Sequence, residues 1–248
     1  MNIAAIIPAR YNSQRLPAKP LADILGKSMI QRVYERATLS EKISTIIVAT
    51  DDERIQRVVE SFDGNVMMTP SSLVSGTDRV AYVSAKIGAE IIVNIQGDEP
   101  LINPEVIDGS IDILLSSEEA QIGTAVKRIT NNDELINPSV VKVILGEKHR
   151  ALYFSRSVIP FIRDSENKTD WIKEHAFYKH FGIYVYRRGA LLDFPKLKIS
   201  SAEEAEKLEQ LRFLANGYNI SAYITTHDSI PVDTNDDLEK VRKIFSKL

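Results

Sequence analysis

Cysteine is absent from this chain of 248 residues. That excludes a disulfide scaffold, a thiolate nucleophile and cysteine-based zinc sites, and it fits a reducing cytoplasm. A basic excess is lacking too: the formal net charge is -3, so no overall field recruits nucleic acid or an anionic membrane. No run approaches the roughly 18 apolar residues that span a bilayer. The opening Met1–Pro8 has no basic leader region and reads as a buried strand rather than a signal peptide. Neither Gly-x-x-x-x-Gly-Lys-Ser/Thr nor Gly-x-Gly-x-x-Gly occurs, so the two common phosphate-binding glycine loops are missing. Any anionic ligand must be met by a local cluster of cations.

With 44% hydrophobic and 26% charged residues, the chain can bury a core. Ile3–Ile7, Thr45–Ala49 and Glu90–Ile95 are short, branched and almost wholly apolar, as strands buried on both faces are. Ser28–Leu39, Glu53–Ser61 and Thr77–Ile87 lie between them with helical periodicity; Met29, Ile30, Val33 and Ala37 form one stripe. This alternation predicts an α/β fold, a Rossmann-like, doubly wound and mostly parallel sheet with ligands at the carboxyl ends of its strands. In the second half, Val140–Leu145, Ala151–Phe154 and Ile183–Arg187 read as strands, and Ser201–Ala215 and Asp236–Phe245 as helices. The polar stretch Arg163–Lys179 reads as a mobile loop. No repeat or Gly/Ser linker interrupts the chain, so 1–248 is read as one domain with an inserted subregion. Residues 1–130 would mainly bind nucleotide, 131–225 the second substrate and a dimer partner, and 226–248 would close the site.

The first strand runs into Pro8-Ala9-Arg10, and Arg15 and Lys19 follow within ten residues of Arg10. Arginine forks grip phosphate oxygens, and a lysine offers a point charge to a transferring phosphoryl group. Pro17 and Pro20 bracket Lys19 and limit its backbone. A solvated basic turn is the plainer alternative, but the position after a buried strand in an acidic chain favours a phosphate cradle. Asp98, in Gln96-Gly97-Asp98-Glu99-Pro100, ends the most apolar strand. A carboxylate beside such a cradle suits Mg²⁺, which takes one or two protein carboxylates and leaves the rest to phosphates and water. Asp236 and Asp237 are explained by capping of the last helix, which leaves Asp233 without a structural reason. Ser75-Gly76-Thr77-Asp78-Arg79 opens a helix, where free amides either hold a base edge or phosphate or are simply capped. Glu203 and Glu206, three apart, share a helix face.

Ile7-Pro8-Ala9-Arg10, with Ser13, Arg15-Leu16-Pro17 and Lys19-Pro20-Leu21, resembles the N-terminal signature of the CMP-sugar synthetases, and most closely that of the 3-deoxy-manno-octulosonate (KDO) cytidylyltransferases. The resemblance continues in order through Val48–Asp51, Ser75–Arg79, Asn94–Pro100, Ala151–Arg156, His180–Tyr184, Leu208–Arg212 and Val232–Thr234. It implies CTP and an acidic keto-sugar as substrates, Mg²⁺ on Asp98 and Asp233, and direct displacement of pyrophosphate. It also implies a cytoplasmic homodimer that feeds lipopolysaccharide assembly. Pro8, Ala9, Arg10, Arg15, Lys19 and the Ser75–Arg79 loop would hold CTP, the loop selecting cytosine. Gln96, Arg156, His180, Tyr184, Glu203 and Glu206 would meet the sugar, Arg156 pairing with its carboxylate. The chain departs from the pattern at Ile230-Pro231, where the family carries Gly, and at Ala202. Both changes lie toward the sugar's far end and keep open the 8-amino analogue of KDO, whose ammonium could pair with Asp228, Glu203 or Glu204. A nucleotide-sugar glycosyltransferase and a non-catalytic CTP sensor are the more distant alternatives.

Overall fold

The computed structural model describes residues 1–12, 16–73, 75–165 and 171–247. Its frame is a nine-stranded sheet. The strands are β1 (Ile3–Ala9), β4 (Thr45–Thr50), β5 (Val66–Met68), β6 (Ile91–Asn94), β7 (Ile122–Arg128), β8 (Lys142–Leu145), β9 (Ala151–Ser155), β10 (Tyr178–Arg187) and β11 (Ile220–Thr225). A small hairpin of β2 (Asp23–Ile24) and β3 (Lys27–Ser28) stands apart. Along the main path the order is β11-β7-β10-β6-β1-β4-β5, and only β10 runs against the rest. The hairpin β8–β9 adds to the start of β10 and forms the margin of the inserted subregion.

Helices cover both faces. α1 (Met29–Ala37), α2 (Glu53–Glu60) and α4 (Pro104–Leu115) lie on one face; α3 (Gly76–Ser84), α7 (Arg188–Asp193) and α9 (Gln210–Ala215) lie on the other. The period of two in β1 explains how one strand serves both: Ile3, Ala5 and Ile7 enter the first core, and Ala4 and Ile6 the second. The rest are α5 (Asn132–Ile136), α6 (Trp171–Glu174), α8 (Ser201–Glu206) and α10 (Asn235–Phe245). Among the described residues no helix is long and apolar enough to cross a membrane.

The chain winds outward from β1 to β4 and β5, then returns to place β6 on the other side of β1. The loops after β1 and β6 therefore leave adjacent strands in opposite senses and open a crevice at the carboxyl edge.

Three expectations need correction. The helix foreseen over Ser201–Ala215 is two helices, α8 and α9, because Lys207 adopts a left-handed conformation (φ 54°) that ends α8. The stretch Arg163–Lys179 is not a loop throughout: α6 and the start of β10 fall inside it, while residues 166–170 lie outside the described residues. Trp171 is its anchor, buried with Ile129, Leu135 and Phe177. Strands β7 and β11 were not foreseen; they pair in parallel through six registered positions.

Helix α4 packs against β7 at Gly123, where a Cβ would lie 2.5 Å from the Ser110 carbonyl oxygen. Gly123→Ala should destabilise the fold by about 1–3 kcal/mol through overpacking. Thermal unfolding checks it, and an unchanged Tm would contradict this contact.

Candidate active site

Three segments distant in sequence meet at the carboxyl edge between β1 and β6. Lys19 follows β1, Asp98 follows β6, and Asp233 sits between β11 and α10. The Lys19 Nζ lies 2.5 Å from Asp98 Oδ2 and 3.1 Å from Asp233 Oδ1, so both carboxylates converge on one point. Burial works against the ammonium, but Asp98 and Asp233 outweigh it and hold the Lys19 pKa above its ordinary value. Lys19 is cationic at any physiological pH.

Local sequence explains the convergence. Ala18 takes a left-handed conformation and Pro20 opens a short 3₁₀ turn, Lys19–Leu21, which fixes the backbone under Lys19. At Gly97 a Cβ would stand 2.9 Å from the Pro8 carbonyl oxygen, so only glycine lets the β6 loop approach β1 this closely. Gly76 faces the ring of Pro8 from the other side, bringing the start of α3 to the same crevice. Leu16, Ile24 and Met29 share a small core with Val232, Leu238 and Val241, which joins the first loop to the C-terminal segment. The Val232 amide donates to the Asp98 carbonyl oxygen at 2.9 Å.

Asp98 and Asp233 are hard oxygen donors within reach of a common cation. Among the described residues no group of three or more His, Cys, Asp and Glu could hold a metal. A pair of carboxylates suits an ion that completes its shell with phosphate and water, as Mg²⁺ does.

Arg10 stands exposed directly after β1, and Pro8 and Ala9 end that strand, buried. Arg15 lies outside the described residues. Ser75 caps α3 and forms a capping box with Asp78, and Thr77 donates to Glu209 Oε2 at 2.5 Å. Arg79 corrects an expectation. It is fully buried, 3.2 Å from Asp51 and bonded to the Thr69 hydroxyl, so its guanidinium stiffens the loop from behind and has no surface for CTP.

On the other side of β6 lie Gln96, His180 and Tyr184, with Tyr184 opposite Asn94 across the β10–β6 pair. The Gln96 amide donates to Asn94 Oδ1 at 3.2 Å. Arg156 donates to the carbonyl oxygens of Glu206 (2.8 Å) and Pro138 (3.1 Å), and its backbone amide and Ser155 hydroxyl donate to the Glu206 carboxylate. Glu206 therefore holds Arg156 in place. Glu203 corrects a second expectation: it is buried and paired in a fork with Arg212, at 2.6 and 2.9 Å, which makes it a brace between α8 and α9. The shared helix face was legible in the spacing, but the cation that claims it comes from the next helix.

Sequence reasoning assigned no role to Glu99. It is buried, and burial and then the neighbouring Asp98 push its carboxyl up to about 8, so it is largely neutral at pH 7. It accepts a hydrogen bond from the Ser229 hydroxyl. Its place in the Gln96–Pro100 motif was a signal; its burial was not visible.

His180 is held by one hydroxyl. Thr124 Oγ1 donates to the Ile183 carbonyl oxygen at 2.7 Å, so it accepts from His180 Nε2 at 3.0 Å. The proton is thereby assigned to Nε2, leaving Nδ1 as an acceptor. The ring is half-buried, with Phe154 edge-on at 5.1 Å, and this desolvation pushes the imidazole down, to about 3. The folded state keeps His180 neutral, whereas an ordinary histidine takes up a proton near 6.5. The stability it contributes is complete above that value and is lost as pH falls toward about 3. NMR of the ring should show neutral His180 from about pH 8 to 5; a midpoint near 6.5 would contradict the burial described.

A cytidylyltransferase family model matches residues 4–221. A protein of Geobacter sulfurreducens called 3-deoxy-manno-octulosonate cytidylyltransferase is 50% identical, the match covering 97% of this chain and 98% of that one. A protein of the same name from Geobacter metallireducens is 48% identical, over 100% and 99% of the two chains. A solved CMP:2-keto-3-deoxy-manno-octonic acid synthetase complexed with CTP superposes with a TM-score of 0.93 at 41% identity, over 100% of this chain and 99% of that one. With the fold, the crevice and these full-length likenesses in agreement, the chain belongs to the cytidylyltransferase family.

Proposed function

We propose that this cytidylyltransferase joins CMP from CTP to the anomeric hydroxyl of KDO, releasing pyrophosphate for lipopolysaccharide assembly. The observation that carries the reading is the meeting of Lys19 with both Asp98 and Asp233 at the switch point, within a chain whose relatives bear that activity in their names. The sugar's anomeric oxygen attacks the α-phosphorus as its hydroxyl proton passes to solvent, and the bond to the bridging oxygen of pyrophosphate breaks. Lys19, Arg10 and Arg15 hold the phosphates and offset charge as it shifts toward the leaving group. Mg²⁺, held by Asp98 and Asp233, would supply Lewis-acid charge on the phosphate oxygens. Ser75, Gly76, Thr77 and Asp78 face the base, and Arg156, Gln96, His180 and Tyr184 face the sugar. His180 orients through its fixed tautomer; with so low a pKa it is a poor general base.

Two of the three carboxylates that an 8-amino sugar could use are already neutralised, and the third, Glu204, is exposed at the surface of α8. Asp228 lies between Lys127 and Lys179, and Glu203 is held by Arg212. That supports KDO over its amino analogue. The reading includes a cytoplasmic homodimer, supported by exposed Leu152 and Tyr153 on the marginal strand β9.

A pyrophosphate assay with CTP, KDO and Mg²⁺ tests the reading. Pyrophosphate should appear only when both substrates are present. Release of nucleoside diphosphate from a preformed nucleotide sugar would indicate a glycosyltransferase, and CTP binding without turnover a sensor. A tenfold higher kcat/KM for the amino sugar would overturn the choice of KDO.

Asp98→Asn and Asp233→Asn should each lower kcat by at least ~10²-fold, since metal-held charge stabilisation is worth several kcal/mol. Lys19→Ala should lower kcat more than it raises the KM for CTP, because its charge acts mainly in the transition state. Near-normal turnover of Asp233→Asn at saturating Mg²⁺ would exclude the two-carboxylate site.

A further inference from the structure

Asp233 reaches the site on a segment with no regular structure of its own. Residues 226–233 leave β11 at the outer edge, cross the carboxyl end of β7 and the amino end of antiparallel β10, and arrive beside the β6 loop. Strands are spaced by about 4.8 Å, so that path spans roughly 14–19 Å. Eight extended residues reach about 26–29 Å. The segment therefore has slack, and the sheet alone does not fix where the Asp233 carboxylate comes to rest.

Val232 is tied to the Asp98 carbonyl oxygen through its amide, and upstream of it the slack is taken up at three consecutive side chains. The His227 ring lies 2.9 Å from Asn103 Nδ2 through Nδ1, and 2.9 Å from Glu105 Oε2 through Nε2. An amide N–H donates to Nδ1, so Nε2 donates to Glu105, and the imidazole is pinned at the N-terminus of α4, which Asn103 caps. Asp228 bridges Lys127 of β7 and Lys179 of β10, the second at 3.0 Å, and Lys179 is itself held by Glu134 at 2.5 Å. Lys127 and Lys179 are direct cross-strand partners, so one carboxylate answers two adjacent ammonium groups. Ser229 then bonds to Glu99, the residue after Asp98.

We propose that His227-Asp228-Ser229 is a clasp that positions Asp233 opposite Asp98, with Asp228 as its principal positioning residue. The inference rests on the reading of Asp98 and Asp233 as metal ligands. Groups hydrogen-bonded directly to a ligand typically govern metal affinity by about 10–100-fold without touching the ion; Asp228 acts through the intervening chain and is expected at the lower end of that range.

The test is Mn²⁺ binding to the whole chain, followed by electron paramagnetic resonance with a non-hydrolysable CTP analogue present. Asp233→Asn should weaken Mn²⁺ at least ~10-fold. Asp228→Ala should weaken it about 10-fold, lower kcat in parallel and leave the KM for CTP within about twofold. The double variant should bind no more weakly than Asp233→Asn alone, because a clasp acts only through the ligand it holds. Lys127→Met should shift Mn²⁺ affinity in the same direction, and hydrogen exchange at 229–233 should quicken in both clasp variants. If Asp233→Asn weakens Mn²⁺ and Asp228→Ala does not, the clasp is wrong and the metal reading stands. If neither changes Mn²⁺ affinity, the metal role of Asp233 falls, and the clasp with it.

Discussion

The ammonium of Lys19 between Asp98 and Asp233 is the constraint on which the site depends. Two carboxylates this close repel one another at neutral pH unless a cation stands between them. Each of the three groups comes from a different part of the chain, so the contact forms only when the strand order β6-β1 and the closing segment are all in place. The glycine at 97, the proline bracket around Lys19 and the shared core of Leu16 and Val232 serve that convergence. A cation that already satisfies both acids is also suited to turn toward phosphate when the carboxylates take another partner.

The side proposed to meet the sugar is organised differently. Few of its groups carry charge that a ligand could use directly. Glu203 is matched by Arg212, Asp228 by two lysines, and Glu206 by Ser155 and the Arg156 backbone. What remains is a set of hydrogen-bonding side chains, with His180 held to one tautomer by Thr124. Such a surface suits a hydroxyl-rich ligand, since buried polar groups discriminate strongly against partners lacking the matching group.

Much of this was legible in the sequence. The first half follows simple periodicity because its strands are buried on both faces, and the cationic loop and Asp98 stand where chain winding places ligands. Capping accounts for Asp236 and Asp237 and leaves Asp233 without a structural reason, but its place beside Asp98 was implied by the family resemblance; the structure shows Thr234 capping α10 with Asp237. Other features could not be read because they depend on partners far away in sequence. Arg79 and Glu203 look like surface charges until Asp51 and Arg212 are placed beside them. Lys207 breaks a helix by a backbone turn that its side chain does not announce. Glu99 is adjacent to the metal candidate, but only the fold buries it.

The most direct measurement is a thermodynamic cycle on folding stability. Lys19→Met leaves Asp98 and Asp233 facing each other without their cation, so it should destabilise the fold. The same change in an Asp98→Asn/Asp233→Asn background should cost little. A coupling of about 0.5–3 kcal/mol between the ammonium and the carboxylate pair is expected for groups sharing one network. Strict additivity would contradict the convergence of these three segments on a single charge centre.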